Sequence, residues 1–342
     1  MPYTNERRIA ELAIHRASIL TERVYNSQVK GTITKGDKSP VTIADLGAQA
    51  LIISSITHAF PEDSIVGEED SSHLRADRPK LDLVWGLVQD SLEATKDQTS
   101  ELGDIRDDEE MLAAIDKGNH QGGSVGRIWA LDPIDGTLGF LRGAQYAICL
   151  GLMVDGKVQV GALACPNLPV DPGAPGGKEG ILLSAVRGQG ATMKPLSTPF
   201  AQGAPISMSS VTDFSKARFC EGVEKGHSSH SEQASIAKSL GITAPAIQMD
   251  SQAKYASISR GVGEIYLRLP VSLSYEEKIW DHVAGSLIVE EAGGVVTDTY
   301  GNELDFGQGR TLKTNKGIVA ALRALHPAVL KAVQEELKGF KL

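Results

Sequence analysis

Residues 128–137 read Ile-Trp-Ala-Leu-Asp-Pro-Ile-Asp-Gly-Thr (IWALDPIDGT), an apolar run that ends in two carboxylates, a proline and a glycine. Ile128 to Leu131 have the composition of a short core strand, and Pro133 with Gly136 then imposes a turn of fixed direction. Asp132 and Asp135 are therefore held in place. Two carboxylates on one tight turn can face the same side, where they repel unless a proton or a cation lies between them.

Outward from this turn the chain has two characters. Downstream, Ala147 to Val154 and Val158 to Cys165 flank Asp155-Gly156, a dipeptide that marks a tight hairpin, and Gly180 to Val186 with the following RGQGA turn extends an antiparallel meander. The stretch Val170 to Gly180 (VDPGAPGGKEG) has loop composition. Upstream, Ile9, Leu12, Ala13, Ile19, Leu20 and Val24 recur at helical spacing, and a second helix is expected from Asp45 to near Phe60. Ser71 to Arg127 is polar and acid-rich with weak helices such as Lys80 to Ala94, which reads as a surface insertion or lid. Beyond residue 203 strand-like runs alternate with helical ones, the pattern of a mostly parallel α/β sheet. The expected division is an α+β domain over 1–203 and an α/β domain over 204–342.

Composition narrows the partners. The 342 residues carry 43 acidic and 34 basic side chains, a formal charge of -9, which argues against a nucleic-acid polymer or an anionic membrane as the main partner. A small anion can still bind locally, and no protein partner is evident. Cys149, Cys165 and Cys220 are widely spaced and form no CxxC pair, so neither a disulfide framework nor a zinc site is indicated and a cytoplasmic location is the simplest expectation. The N-terminus is an amphipathic mixture of acids and bases, unlike a secretory signal, and no apolar run reaches membrane-spanning length. GxxxxGK[ST] and GxGxxG are both absent, and Gly261 to Gly263 reads as a helix-ending turn.

Three acidic clusters stand out: Glu68 and Glu69 in VGEED, Asp132 and Asp135 in DPIDGT, and Asp281 at the head of an expected helix. Taken singly, the glutamates read as solvated turn acids and Asp281 as a helix N-cap. Taken together, carboxylates with a backbone carbonyl make the hard oxygen shell that Mg2+ requires, and no imidazole or thiolate pattern competes for a softer metal.

DPIDGT, preceded by SPVTIAD and VGEE and followed by WDHVAGSLIVEEAGG, resembles the lithium-sensitive, Mg2+-dependent phosphomonoesterase superfamily of inositol monophosphatase and fructose-1,6-bisphosphatase. GVEKGHSSH, DSQAKY, YLRLP, GFLRG and DFGQGR resemble its 3'(2'),5'-bisphosphate nucleotidase branch. The resemblance implies a layered α-β-α-β-α fold and two or three Mg2+ per site, held by Glu68, Asp132, Asp135, Asp281 and the Ile134 carbonyl, with inhibition by Li+. It makes Asp45 and Thr137 the pair that orients the attacking water, although Asp45 can also be read as a helix cap. Gly136 and Thr137 would offer amide N–H groups to phosphate oxygens, with Asp281 also facing the substrate. His227, Ser251, Lys254 and Arg268 would grip a second phosphate, for which Arg has the fitting fork. The implied substrate is adenosine 3',5'-bisphosphate, the implied reaction direct in-line attack by water. Leu138 departs from the branch, which commonly has lysine there. An inositol phosphate phosphatase and a weakly catalytic nucleotide sensor are the alternatives.

Overall fold

The computed structural model describes residues 1–27, 32–34, 40–173, 180–223, 230–270, 272 and 274–338. The first helix, α1 (Thr4–Asn26), buries Ile9, Leu12, Ala13, Leu20 and Val24 along one face. After the antiparallel pair β1 (Thr32–Thr34) and β2 (Pro40–Thr42), the helix α2 (Ile43–Ala59) begins in a capping box. The Thr42 hydroxyl accepts from the Ala44 N–H (3.2 Å), while the Thr42 N–H donates to Asp45 Oδ2 at 2.8 Å. Both contacts satisfy donors that a helix start otherwise leaves open.

Between β3 (Ser64–Gly67) and β4 (Arg127–Asp135) lie four helices, α3 (Ser72–Arg75), α4 (Arg78–Ala94), α5 (Thr99–Leu102) and α6 (Asp108–Asp116). This segment is not the peripheral insertion or lid that its polar composition suggested. Leu81, Val84 and Val88 of α4, Leu102, and Met111, Leu112 and Ile115 of α6 are buried in the same core as α1 and α2. The acids and bases lie on the opposite faces, so the average composition hid an amphipathic pattern.

A seven-stranded sheet follows the order β3-β4-β5-β6-β7-β8-β9, with β5 (Ala147–Val154), β6 (Lys157–Cys165), β7 (Ile181–Val186), β8 (Ala191–Pro195) and β9 (Ala204–Ile206). The β3–β4 pair is parallel and every later pair antiparallel. Asp155 and Gly156 take φ of 50° and 76° between β5 and β6, the left-handed pair that a tight hairpin turn requires. Between β4 and β5 sits the short helix α7 (Thr137–Arg142).

The second lobe contains β10 (Phe219–Glu221), α8 (His230–Leu240), β11 (Ile247–Gln248), α9 (Ala253–Ser259), β12 (Ile265–Arg268), α10 (Val283–Glu291), β13 (Gly294–Thr297), β14 (Ile318–Leu322) and α11 (His326–Leu337). Its sheet runs β11-β10-β12-β14-β13. The expected mostly parallel sheet is mixed: β10 pairs parallel with β11 and β12, where helices carry the crossovers, while β14 runs antiparallel to both β12 and β13. The link from β13 to β14 holds only a single turn of 3-10 helix, Phe306–Gln308, and an antiparallel return needs no helical crossover. The chain passes from the large sheet to the smaller one through residues 207–218, and β9, beyond residue 203, still belongs to the large sheet.

Five layers result. The first two helices cover one face of the large sheet, α9 and α10 lie between the sheets, and α8 and α11 cover the outer face of the smaller one. Gly151 and Gly161 admit α10 to the large sheet: a Cβ on Gly161 would lie 2.7 Å from the Ala284 carbonyl oxygen, and one on Gly151 would lie 2.9 Å from Val283 Cγ1. That close approach sets the head of α10 against β5 and β6.

Candidate active site

The β4–β5 register shifts between Asp132 and Asp135, and an irregular strand end of this kind re-aims side chains. Asp132 is 2 % exposed, and its Oδ1 accepts from the Ile134 N–H at 3.0 Å. Asp135 Oδ2 accepts from the Gln252 N–H at 2.6 Å. Gly136 has φ of 90°, and a Cβ there would lie 2.9 Å from Ser251 Cβ. Only glycine fits this turn. Thr137 donates its hydroxyl to the Ile134 carbonyl oxygen (3.2 Å), the carbonyl that the family resemblance implies as a metal ligand.

Glu68 reaches the same place because β3 lies beside β4 in parallel register, with Gly67 opposite Leu131. Its loop is clamped by Gln49, a fully buried side chain of α2 that accepts from the Glu69 N–H (3.0 Å) and donates to the Glu69 carbonyl (2.7 Å). Glu69 itself is buried, unlike a solvated turn acid. Asp45, in the first turn of α2, receives Thr42 Oγ1 at 2.6 Å as well as its N–H. The helix-cap reading of Asp45 is thus correct without excluding a second role, since its charge also acts on Asp132.

The electrostatics show that the clusters converge. Burial, then Glu68, Asp135, Asp281 and Asp45, push the Asp132 carboxyl well above its usual range. Burial raises Asp135 to about 6 against the opposing pull of Lys254, and raises Asp281 to about 7 against that of Arg268. Lys254 is drawn down to about 8 by burial, with Asp135 resisting. Carboxylates so crowded hold protons at neutral pH or need cations among them. A set of carboxylate oxygens with a backbone carbonyl at hand fits a hard divalent ion.

Beneath Asp281 runs a polar chain that the sequence did not reveal. Arg268 lies with Nε 2.8 Å from Glu277 Oε2 and Nη2 3.5 Å from Asp281 Oδ2. His282 Nε2 is 3.2 Å from the same Glu277 oxygen, and its Nδ1 is 3.0 Å from the Tyr255 hydroxyl. Glu277, Asp281 and His282 offer ligand atoms all within 4.8 Å of one another, yet Glu277 and His282 are already engaged by Arg268 and Tyr255. Asp281, although also within reach of Arg268, is the member of this trio whose charge acts on Asp132. Asp281 precedes α10 within a 3-10 turn, Ile279–Asp281, and the N-cap position falls on His282.

The expected second-phosphate group is only partly assembled from described residues. Ser251 adopts φ of 62° in the loop just before α9, and Lys254 lies in the first turn of that helix with Nζ 5.3 Å from the centre of the Tyr266 ring. Arg268 ends β12 close by. His227 lies outside the described residues. Gln252 ties this group to the acids: besides its bond to Asp135, its side chain donates to the Trp280 carbonyl (2.9 Å) and accepts from the Gly285 N–H (3.0 Å). The motif DSQAKY pointed to this loop but not to Gln252, and Glu277 lies in a charged run that reads as solvated surface.

Residues 4–338 match the model of the inositol monophosphatase family. The chain belongs to that family. It is 54 % identical to a 3'(2'),5'-bisphosphate nucleotidase of Emericella nidulans, covering 99 % of this chain and 100 % of the relative. A 3'(2'),5'-bisphosphate nucleotidase of Schizosaccharomyces pombe is 52 % identical over 97 % of this chain and 96 % of its own. Among solved structures, an IMPase from Thermotoga maritima superposes with a TM-score of 0.62 at 20 % identity, covering 98 % of this chain and 97 % of that one. An inositol monophosphatase from Anabaena does so with a TM-score of 0.61 at 19 % identity, covering 99 % and 100 %. The family fold, two lobes with a largely antiparallel sheet followed by a mixed one, is therefore shared by proteins of low sequence identity.

Proposed function

We propose that this chain is a Mg2+-dependent phosphomonoesterase that removes the 3'-phosphate of adenosine 3',5'-bisphosphate, and of its sulfated form, 3'-phosphoadenylyl sulfate. The observation that carries the chemistry is the convergence of Glu68, Asp132, Asp135 and Asp281, whose mutual repulsion calls for cations. The substrate class is supported by nucleotidase relatives that match along nearly the whole chain. Bound there in two or three copies, Mg2+ would neutralise phosphate charge and lower the pKa of a water.

The protein's own groups do the rest. Glu68, Asp132, Asp135, Asp281 and the Ile134 carbonyl supply the oxygen ligands. Asp45 and Thr137 orient the attacking water and take its proton, and the amides of Gly136 and Thr137 hold phosphate oxygens. Ser251, Lys254 and Arg268, with His227, bind the 5'-phosphate. Li+ and excess Mg2+ are expected to inhibit. No described helix is long and apolar enough to cross a membrane, and the three cysteines are buried and free, which fits a cytoplasmic location.

The test is phosphate release with Mg2+ from adenosine 3',5'-bisphosphate, its sulfated form, 3'-AMP, inositol 1-phosphate and inositol 1,4-bisphosphate, for the wild type and Asp135→Asn. Preference for the bisphosphate nucleotides, lost in the variant while its folded circular-dichroism spectrum persists, is the expected result. Faster turnover of the inositol phosphates would move the chain to the other branch of the family. Binding of the nucleotide without turnover would make it a sensor.

A further inference from the structure

Arg310 lies outside the acidic clusters, yet its side chain reaches both of the loops that bring Glu68 and Asp281 to the site. Its Nη2 donates to the carbonyl of Gly67, the residue before Glu68, at 2.6 Å. Its Nη1 donates to the carbonyls of Gly118 (3.2 Å) and His120 (3.0 Å), in the segment after α6 that runs beside β3. The same guanidinium lies 4.8 Å from the centre of the Trp280 ring, the residue before Asp281. Its backbone carbonyl accepts from the Ile279 N–H at 3.2 Å. Gly67, Gly118 and His120 belong to the first lobe, whereas Trp280 and Arg310 belong to the second.

One planar side chain thus fastens the Glu68 loop through its N–H donors while its guanidinium carbon lies over the Trp280 ring of the Asp281 segment. A guanidinium can do both at once because its donors lie in a fixed fork while its face stacks on an aromatic ring. A lysine ammonium supplies the charge but not this two-sided geometry. The acceptors of the fork are all carbonyls, so the charge of Arg310 is not consumed by a carboxylate in that socket, and Glu68 is the acid whose charge it feels.

We propose that Arg310 is a positioning residue that fixes the separation of Glu68 from Asp281 across the two lobes, and so sets the affinity of the site for divalent cations. The inference rests on the reading that these two carboxylates hold metal. Groups that hold metal ligands in place commonly change affinity by about 10–100-fold when removed.

The experiment is calorimetric titration of the full chain with MgCl2 alone, for the wild type, Arg310→Gln and Arg310→Lys, alongside melting temperatures without metal. Both variants are expected to bind Mg2+ at least about tenfold more weakly, and to need correspondingly more Mg2+ for half-maximal phosphate release while approaching the wild-type rate at saturation. Arg310→Lys keeps the charge and guards against a variant that fails to fold. A lowered melting temperature with an unchanged Mg2+ dissociation constant would reduce Arg310 to a structural strut and overturn the inference alone. Absence of Mg2+ binding by the wild type would overturn the metal reading and this inference with it.

Discussion

Arg268 shows how one side chain can be pulled between two tasks. Its sequence context marks it for a phosphate, but its guanidinium is already paired with Glu277 at 2.8 Å and lies 3.5 Å from Asp281. Removing it would strip a buried Glu277 of its cation as well as vacating the proposed phosphate contact, and an unpaired buried charge is costly. Arg268→Ala is therefore expected to lower kcat/KM for 3'-AMP, through Asp281, and to lower it for adenosine 3',5'-bisphosphate by at least about tenfold more, through the lost 5'-phosphate contact. Steady-state kinetics on the two substrates separates the contributions. An equal loss on both would leave Arg268 a support for Asp281 and remove it from the 5'-phosphate pocket.

At the scale of elements, α4 and α6 are the correction with the most physical content. Their apolar residues face α1 and α2, so their amides are shielded by packing as well as by helical hydrogen bonds, and protection should follow burial. Hydrogen exchange is expected to be slow through Leu81 to Val88 and Met111 to Ile115, comparable with the buried face of α2, with or without nucleotide. Exchange as fast as that of a frayed terminus would restore the reading of a mobile lid. The reason the sequence misled is specific. Residues 104–110 read DIRDDEE, and such a run outweighs the buried side chains of α6 in any average over the segment. By contrast the β5–β6 hairpin and the end of β4 were legible because Asp155-Gly156 and Pro133 with Gly136 restrict the backbone locally. Gln252 and Gln49 were not legible, since each acts through partners far away in sequence, and Glu277 was not because no local pattern shows that this member of a charged run is buried against Arg268 and His282. Nothing local distinguishes a glutamine that clamps a distant loop from one in solvent.

For the molecule as a whole, the acidic centre makes stability depend on pH and on metal together. A carboxyl whose pKa is higher folded than unfolded binds more protons in the native state, so its contribution is fully present below the unfolded pKa and is lost as pH rises through the folded one. For Asp135 that window runs from 3.8 to about 6, and for Asp281 from 3.8 to about 7, with Asp132 shifted the same way. The metal-free protein should accordingly lose this part of its stability as the pH approaches neutrality. A cation needs the same carboxylates ionised, so it competes with protons and stabilises the native state more as they leave. The rise in melting temperature produced by saturating MgCl2 is thus expected to be small near about pH 5 and to grow toward about pH 8. Asp135→Asn, lacking one of the crowded charges, should show both a shallower metal-free decline and a smaller Mg2+ effect. Differential scanning fluorimetry across this range, with and without MgCl2, measures the two curves directly. A Mg2+ effect that is flat with pH, or one that shrinks as the pH rises, would mean that the ion binds away from these carboxylates.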